Sequence, residues 1–149
     1  MVCLGNICRS PMAQGILENK LVKNELQWFV DSAGTSGWHD GQHPDPRAIS
    51  SSSKYGVDIS TQYSRKIKLQ DLDVFDHILV MDSSNYQEVI RLCKNDTQKE
   101  KVELILNFVK PRYNAAVPDP YYQGNFDEVF VLLDQAIDKF IEWTKMEQT

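Results

Sequence analysis

The sequence predicts an α/β sandwich built around a short parallel sheet. Two observations carry this. Short apolar runs of strand length alternate along the chain with segments of helical periodicity. The clearest run, His77 to Met81, is apolar without alternation, as in a strand buried on both faces. A chain of 149 residues, 42% apolar and 25% charged, then fits one domain with one sizeable core.

The elements follow in order. Ser10 and Pro11 read as N-cap and first helical residue, and Met12, Ala13, Ile16, Leu17 and Leu21 recur at helical spacing after them. Trp28 to Gly34 reads as a strand breaking into a loop. Asp45 and Pro46 cap and start a second helix, which carries the serine run Ser50 to Ser53 and stops at Gly56. His77 to Met81 is a strand between Asp76 and Asp82, followed by a helix over Ser84 to Lys94 with Val89, Ile90 and Cys93 on one face. Val102 to Val109 is a further strand. Phe126, Val129, Phe130, Leu133, Ile137, Phe140 and Ile141 mark a long amphipathic helix ending near Trp143. No repeat, low-complexity tract or linker divides residues 1–149, so a single domain is expected.

Composition narrows the function classes. No apolar run approaches the roughly 20 residues of a membrane span, and no basic region followed by an apolar stretch marks a secretory signal. Three cysteines cannot all pair within the chain, so free thiols and a cytoplasmic setting are expected. The formal charge of −5 argues against a nucleic-acid partner while leaving room for a local anion site. His39, His43 and His77 lack metal-ligand spacing, and no metal is expected.

The richest stretch is VCLGNICRSP, residues 2–11. Gly5 permits backbone conformations other residues resist, and Asn6 tolerates left-handed geometry. Such residues let successive N–H groups turn inward as a nest for an anion. The helix started by Ser10 and Pro11 aims its positive end at the same spot, and the Arg9 guanidinium matches two phosphate oxygens. Cys3 stands at the mouth of this nest, where positive surroundings favour its thiolate. A thiolate beside a bound phosphate is a nucleophile aimed at phosphorus.

VCLGNICRSPMAQGIL resembles the signature of the low-molecular-weight protein tyrosine phosphatases, and DSAGTSGWHDGQHPDPRA (31–48), FDHILVMDSSN (75–85) and VPDPYYQGNFDEVF (117–130) resemble that family in the same order. The resemblance implies a three-layer sandwich: a short parallel sheet with helices on both faces and a phosphate-binding loop after the first strand. It implies hydrolysis of phosphotyrosine in proteins, and of small aryl phosphates, through a phosphocysteine on Cys3. Leu4, Gly5, Asn6, Ile7 and Cys8 would form the cradle, with Arg9 on the phosphoryl oxygens. No cofactor is required. A phosphotyrosine protein or peptide and a phosphate-like oxyanion are the expected partners, with no nucleic acid or membrane, on a monomer or weak dimer.

A leaving oxygen needs a proton, which a carboxylic acid at the pocket rim can give. Asp119, between Pro118 and Pro120, is the family's general acid by resemblance. Tyr121 and Tyr122 follow; in the family the first lines the substrate pocket and both can be phosphorylated. Trp38 matches a variable aromatic position on the facing loop. Aromatic walls there would sandwich a phenyl ring and set a depth that favours phosphotyrosine over the shorter phosphoserine. Ile7 stands where a phosphoarginine-directed branch carries threonine, which leans toward an aryl substrate. The Ser10 hydroxyl can donate to the Cys3 thiolate and help it leave. Ser32 resembles a position that braces the loop through Asn6, and Gln62 takes the place of a histidine often added to that brace. By resemblance, Cys8 can trap an oxidised Cys3 as a disulfide. Cys93 is expected simply to pack on its helix.

In the family a buried apolar strand feeds the catalytic cysteine, and here only Met1 and Val2 stand in its place. A truncated central strand forfeits roughly 1.5–3 kcal/mol for each large apolar side chain removed. A start codon lying upstream is the preferred account, ahead of a trimmed natural terminus or a strand that pairs differently. Two rival functions are an arsenate reductase of related fold and a catalytically inactive phosphate-binding module.

Overall fold

Val2 and Cys3 alternate across a strand, one side chain to each face of the sheet, and the layering follows from that alternation. A computed structural model describes residues 1–148. Val2–Cys3 (β1), Ala33–Gly34 (β2), Ile78–Val80 (β3) and Val102–Leu104 (β4) form one parallel sheet in the order β2-β1-β3-β4. The short β1 is central: Val2 pairs with Ala33 on one side and Val80 on the other.

Cys3 and Leu79 face a core built from α1 (Arg9–Lys23), α2 (Pro46–Lys54) and α7 (Phe126–Glu147). Met12, Ile16, Leu133 and Ile137 are fully buried there, each contributing about 1.5–3 kcal/mol by removing apolar surface from water. Val2, Ile78, Val80, Val102 and Leu104 face the opposite core, closed by Leu72 of α3 (Asp71–Val74) and Val89 of α4 (Ser83–Leu92). The result is the three-layer sandwich. α5 (Asp96–Glu100) and α6 (Pro120–Gln123) are short helices in the connections.

Several boundaries differ from the sequence reading: β3 is Ile78–Val80 within the run His77 to Met81, α4 ends at Leu92 rather than Lys94, and α7 continues past Trp143 to Glu147. α1 begins at Arg9 rather than after Ser10, because the Cys8 carbonyl already accepts the Met12 N–H (3.2 Å). Ser10 is therefore not the N-cap, and its hydroxyl is free for the loop. Of Trp28 to Gly34 only Ala33–Gly34 joins the sheet; the ladder continues one step further, from the Ala33 N–H to the Met1 carbonyl at 2.9 Å. The strand expected over Val102 to Val109 ends at Leu104 and winds into a 3₁₀ turn over Ile105–Phe108. The turn carries Phe108 edge-on to Phe140 of α7, centroids 5.1 Å apart. Among the described residues no helix is long and apolar enough to cross a membrane.

Candidate active site

The cradle is shaped by where its carbonyls go. Cys3 O accepts from Thr35 N (2.9 Å), Leu4 O from Ser36 N (3.0 Å), Gly5 O from the Ser64 hydroxyl (3.2 Å), and Ile7 O from Asp45 N (2.8 Å). A trans peptide points its N–H opposite its C=O. Tying these carbonyls back into the protein therefore turns the N–H groups of Leu4, Gly5, Asn6 and Cys8 the other way, and that of Asn6 reaches the Cys3 sulfur. The left-handed residue that bends the loop is Asn6 (φ 56°). Gly5 is not in that region, contrary to expectation; its missing Cβ leaves room for His39, whose Cδ2 would lie 3.1 Å from it.

Asn6 is buried and fully engaged: its Nδ2 donates to Ser10 Oγ (2.7 Å) and Ser32 Oγ (2.9 Å), and its Oδ1 accepts from Arg65 N (3.0 Å). Because Ser10 Oγ accepts from Asn6, its own hydrogen is available to Cys3 Sγ, 3.0 Å away. The Asn6 N–H also reaches that sulfur, at 3.3 Å. Ser32 passes its hydroxyl hydrogen to Gln14 Oε1 (2.7 Å). Gln14, not Gln62, thus completes the brace. Gln62 donates instead to the Pro11 carbonyl (3.0 Å), leaving its Oε1 buried without a partner among the described residues.

Arg9 is 3% exposed. Its Nη1 donates to Asp82 Oδ2 (2.8 Å) and the Val117 carbonyl (3.1 Å), and its Nη2 lies 3.7 Å from Asp119 Oδ2. Asp82 caps α4 with its other oxygen, accepting the Asn85 N–H at 2.8 Å. Asp119 has extended backbone (φ −84°, ψ 110°), as its flanking prolines dictate, and caps α6 by accepting the Tyr121 N–H at 3.1 Å.

Cys3, Leu4, Gly5, Ile7, Cys8, Arg9, Trp38, Asp119, Tyr121 and Tyr122 converge on one cavity of about 140 Å³. Trp38 and Tyr122 are 76% and 84% exposed, so the walls rise from the rim into solvent. Asn6, Ser10 and Ser32 lie beneath the loop rather than in the cavity lining. Cys3, Cys8 and Cys93 are all free; burial, the largest influence, pushes the Cys8 thiol pKa well up. Cys93 Sγ lies 3.4 Å from the Val89 carbonyl and packs against the opposite core. Among the described residues no group of three or more His, Cys, Asp or Glu is placed to hold a metal ion.

Sequence reasoning misses His39, which lines the cavity, because its sequence context speaks only to metal spacing. It also misses Asp82 and Gln14, whose roles depend on meetings between segments far apart in the chain.

Residues 1–149 match the family model described as low molecular weight phosphotyrosine protein phosphatase. The chain is 36% identical to the Bacillus subtilis low molecular weight protein-tyrosine-phosphatase YfkJ, over 99% of this chain and 95% of the relative. It is 37% identical to a Schizosaccharomyces pombe low molecular weight phosphotyrosine protein phosphatase, over 95% and 92%. The crystal structure of YfkJ superposes with a TM-score of 0.92, covering 99% of this chain and 94% of that one. A protein tyrosine phosphatase from Entamoeba histolytica with Hepes in its active site superposes at 0.91 and 32% identity, covering 99% and 96%.

Proposed function

The chain belongs to the low molecular weight phosphotyrosine protein phosphatase family and is a phosphatase, and on that premise we propose that it hydrolyses phosphotyrosine by way of a phosphocysteine on Cys3. The loop N–H groups and Arg9 hold three phosphoryl oxygens and stabilise the charge that builds up in transfer. Cys3 Sγ forms the S–P bond as the P–O bond to the phenol breaks, and Asp119 gives that oxygen its proton. Asp119, now a carboxylate, takes a proton from water as the water oxygen attacks phosphorus. The S–P bond breaks and inorganic phosphate leaves, with Ser10 donating to the departing sulfur.

The single observation that carries this reading is the convergence of Cys3, Arg9 and Asp119 on one cavity, with Ser10 and Asn6 both within hydrogen-bonding reach of the sulfur. Trp38, Tyr121 and Tyr122 at the rim support an aryl substrate. The placement of Cys93 in the core across the sheet from Cys3 supports hydrolysis over a relay of cysteines. A cytoplasmic site of action, where thiols stay reduced, fits the same chemistry.

Steady-state kinetics on phosphotyrosine, phosphoserine and phosphoarginine peptides test the reading. Phosphotyrosine is expected to lead in kcat/KM by about a hundredfold or more. Comparable turnover of phosphoarginine would overturn the aryl preference, and binding without turnover of any ester would reduce the protein to a phosphate-binding module.

A further inference from the structure

We propose that Arg47 is a positioning residue that clips the loop bearing Asp119 to the loop bearing Cys3, holding the acid where it protonates the leaving oxygen. The proposal rests on the phosphatase reading above.

The connection runs through named atoms. The Asp45 N–H donates to the Ile7 carbonyl (2.8 Å), which fastens the start of α2 to the phosphate-binding loop. The Asp45 carboxylate caps α2 and holds the Arg47 side chain in a fork: Oδ1 accepts from Nε at 3.1 Å and Oδ2 from Nη2 at 3.0 Å. The Arg47 hydrogen bond keeps the Asp45 carboxyl below its ordinary pKa, so the fork stays charged. The same Nη2 reaches across to the Tyr121 carbonyl (3.2 Å). The guanidinium lies 5.4 Å from the centroid of the Tyr121 ring and 4.8 Å from that of Phe126, the buried first residue of α7. Arg47 therefore touches both a wall of the pocket and the helix α6 that Asp119 caps.

Magnitude separates this role from a folding role. The Arg47 side chain is 49% exposed although that of Asp45 is only 9% exposed, so solvent screens the arginine end and limits what the pair adds to stability. The segment it grips is held at one end by the buried Val117, whose N–H donates to the Met81 carbonyl at 2.8 Å, and at the other by Phe126. Between those anchors Tyr121 to Gly124 are exposed, and Arg47 reaches into the middle. What its loss removes is the placement of Asp119, not the cradle. Lysine keeps the charge but has no planar fork to bridge carboxylate and carbonyl together.

The test uses leaving groups. Protonation by Asp119 matters most when the departing oxygen is strongly basic, so phenyl phosphate depends on it more than p-nitrophenyl phosphate does. We compare wild type, Asp119→Asn, Arg47→Met and Arg47→Lys in kcat/KM on both esters, with inhibition by inorganic phosphate as a readout of the cradle. For Arg47→Met the expected loss is about tenfold on phenyl phosphate and under about threefold on p-nitrophenyl phosphate, with phosphate inhibition unchanged within about twofold. Arg47→Lys shows the same bias to a smaller degree, and it alone decides the matter if circular dichroism shows the methionine variant unfolded. Asp119→Asn fixes the signature of a missing acid. Equal losses on both esters, no loss, or weakened phosphate inhibition in the folded variants would overturn the proposal while leaving the phosphatase intact. No turnover of either ester by wild type would instead remove the reading on which it rests.

Discussion

The Ser10 hydroxyl stands 3.0 Å from the Cys3 sulfur and accepts from Asn6 Nδ2 at 2.7 Å, which leaves its hydrogen free to donate to that sulfur. In the proposed mechanism a donor so placed would stabilise the sulfur as it departs from phosphorus. Ser10→Ala is expected to slow breakdown of the phosphoenzyme, lowering kcat by about tenfold and enlarging the pre-steady-state burst of phenol. An unchanged kcat with no larger burst would remove Ser10 from the mechanism.

Asp82 pairs with Arg9 at 2.8 Å and caps α4 at the same time. Asp82→Ala deletes the cap and leaves the buried guanidinium with only the Val117 carbonyl and the more distant Asp119, so urea unfolding is expected to show a loss of about 2–4 kcal/mol. Asp82→Asn keeps the capping oxygen and loses only the charge, and its loss is smaller. Equal losses in the two variants would contradict the division of labour between the two oxygens.

Gly15 lies within α1, where alanine is ordinarily the better residue by about 1 kcal/mol. Here a Cβ would sit 2.5 Å from Ile59 Cγ2 and 2.8 Å from Val57 Cγ1, and Ile59 is wholly buried. Gly15→Ala is therefore expected to destabilise by a net 1–3 kcal/mol or so, read by urea denaturation. A gain in stability would show that α1 does not press on the segment around Ile59.

His77 packs edge-on to Phe140 and Trp143, centroids 5.4 and 5.6 Å away, and burial lowers its pKa, with Asp76 opposing. A proton that binds the unfolded chain more readily than the folded one makes stability rise with pH. The contribution is complete above the unfolded value near 6.5 and is lost as pH falls below it. Wild-type Tm is expected to fall from pH 7 to pH 5, and His77→Phe to flatten that fall. Identical profiles for the two proteins would assign the effect elsewhere.

Much of this molecule is legible in its sequence where local signals and tertiary packing agree. The α7 stripe from Phe126 to Ile141 and the cap at Asp45 appear as read, and the run His77 to Met81 holds the shorter strand β3. The cradle, Asp119 and the aromatic rim are likewise legible, because contiguous motifs carry them. What is not legible depends on meetings across the chain. The turn after Leu104 exists because Phe108 reaches α7, and an apolar run alone cannot distinguish that from a continuing strand. Gln14 and Gln62 are chemically equal candidates for the brace, and only the path of α1 beneath the loop decides between them. Asp82 looks like a helix cap from its sequence, and its second oxygen is claimed by an arginine far away in the chain.

The most direct test quenches the enzyme in denaturant within its first turnover of an aryl phosphate and locates the phosphoryl group by mass spectrometry of its peptides. The account predicts a phosphoryl group on the Cys3 sulfur, accumulating further in Ser10→Ala and absent in Cys3→Ser, which also loses turnover. Phosphate released in that first turnover with no modified Cys3, or a Cys3→Ser variant hydrolysing the ester at the wild-type rate, would contradict it.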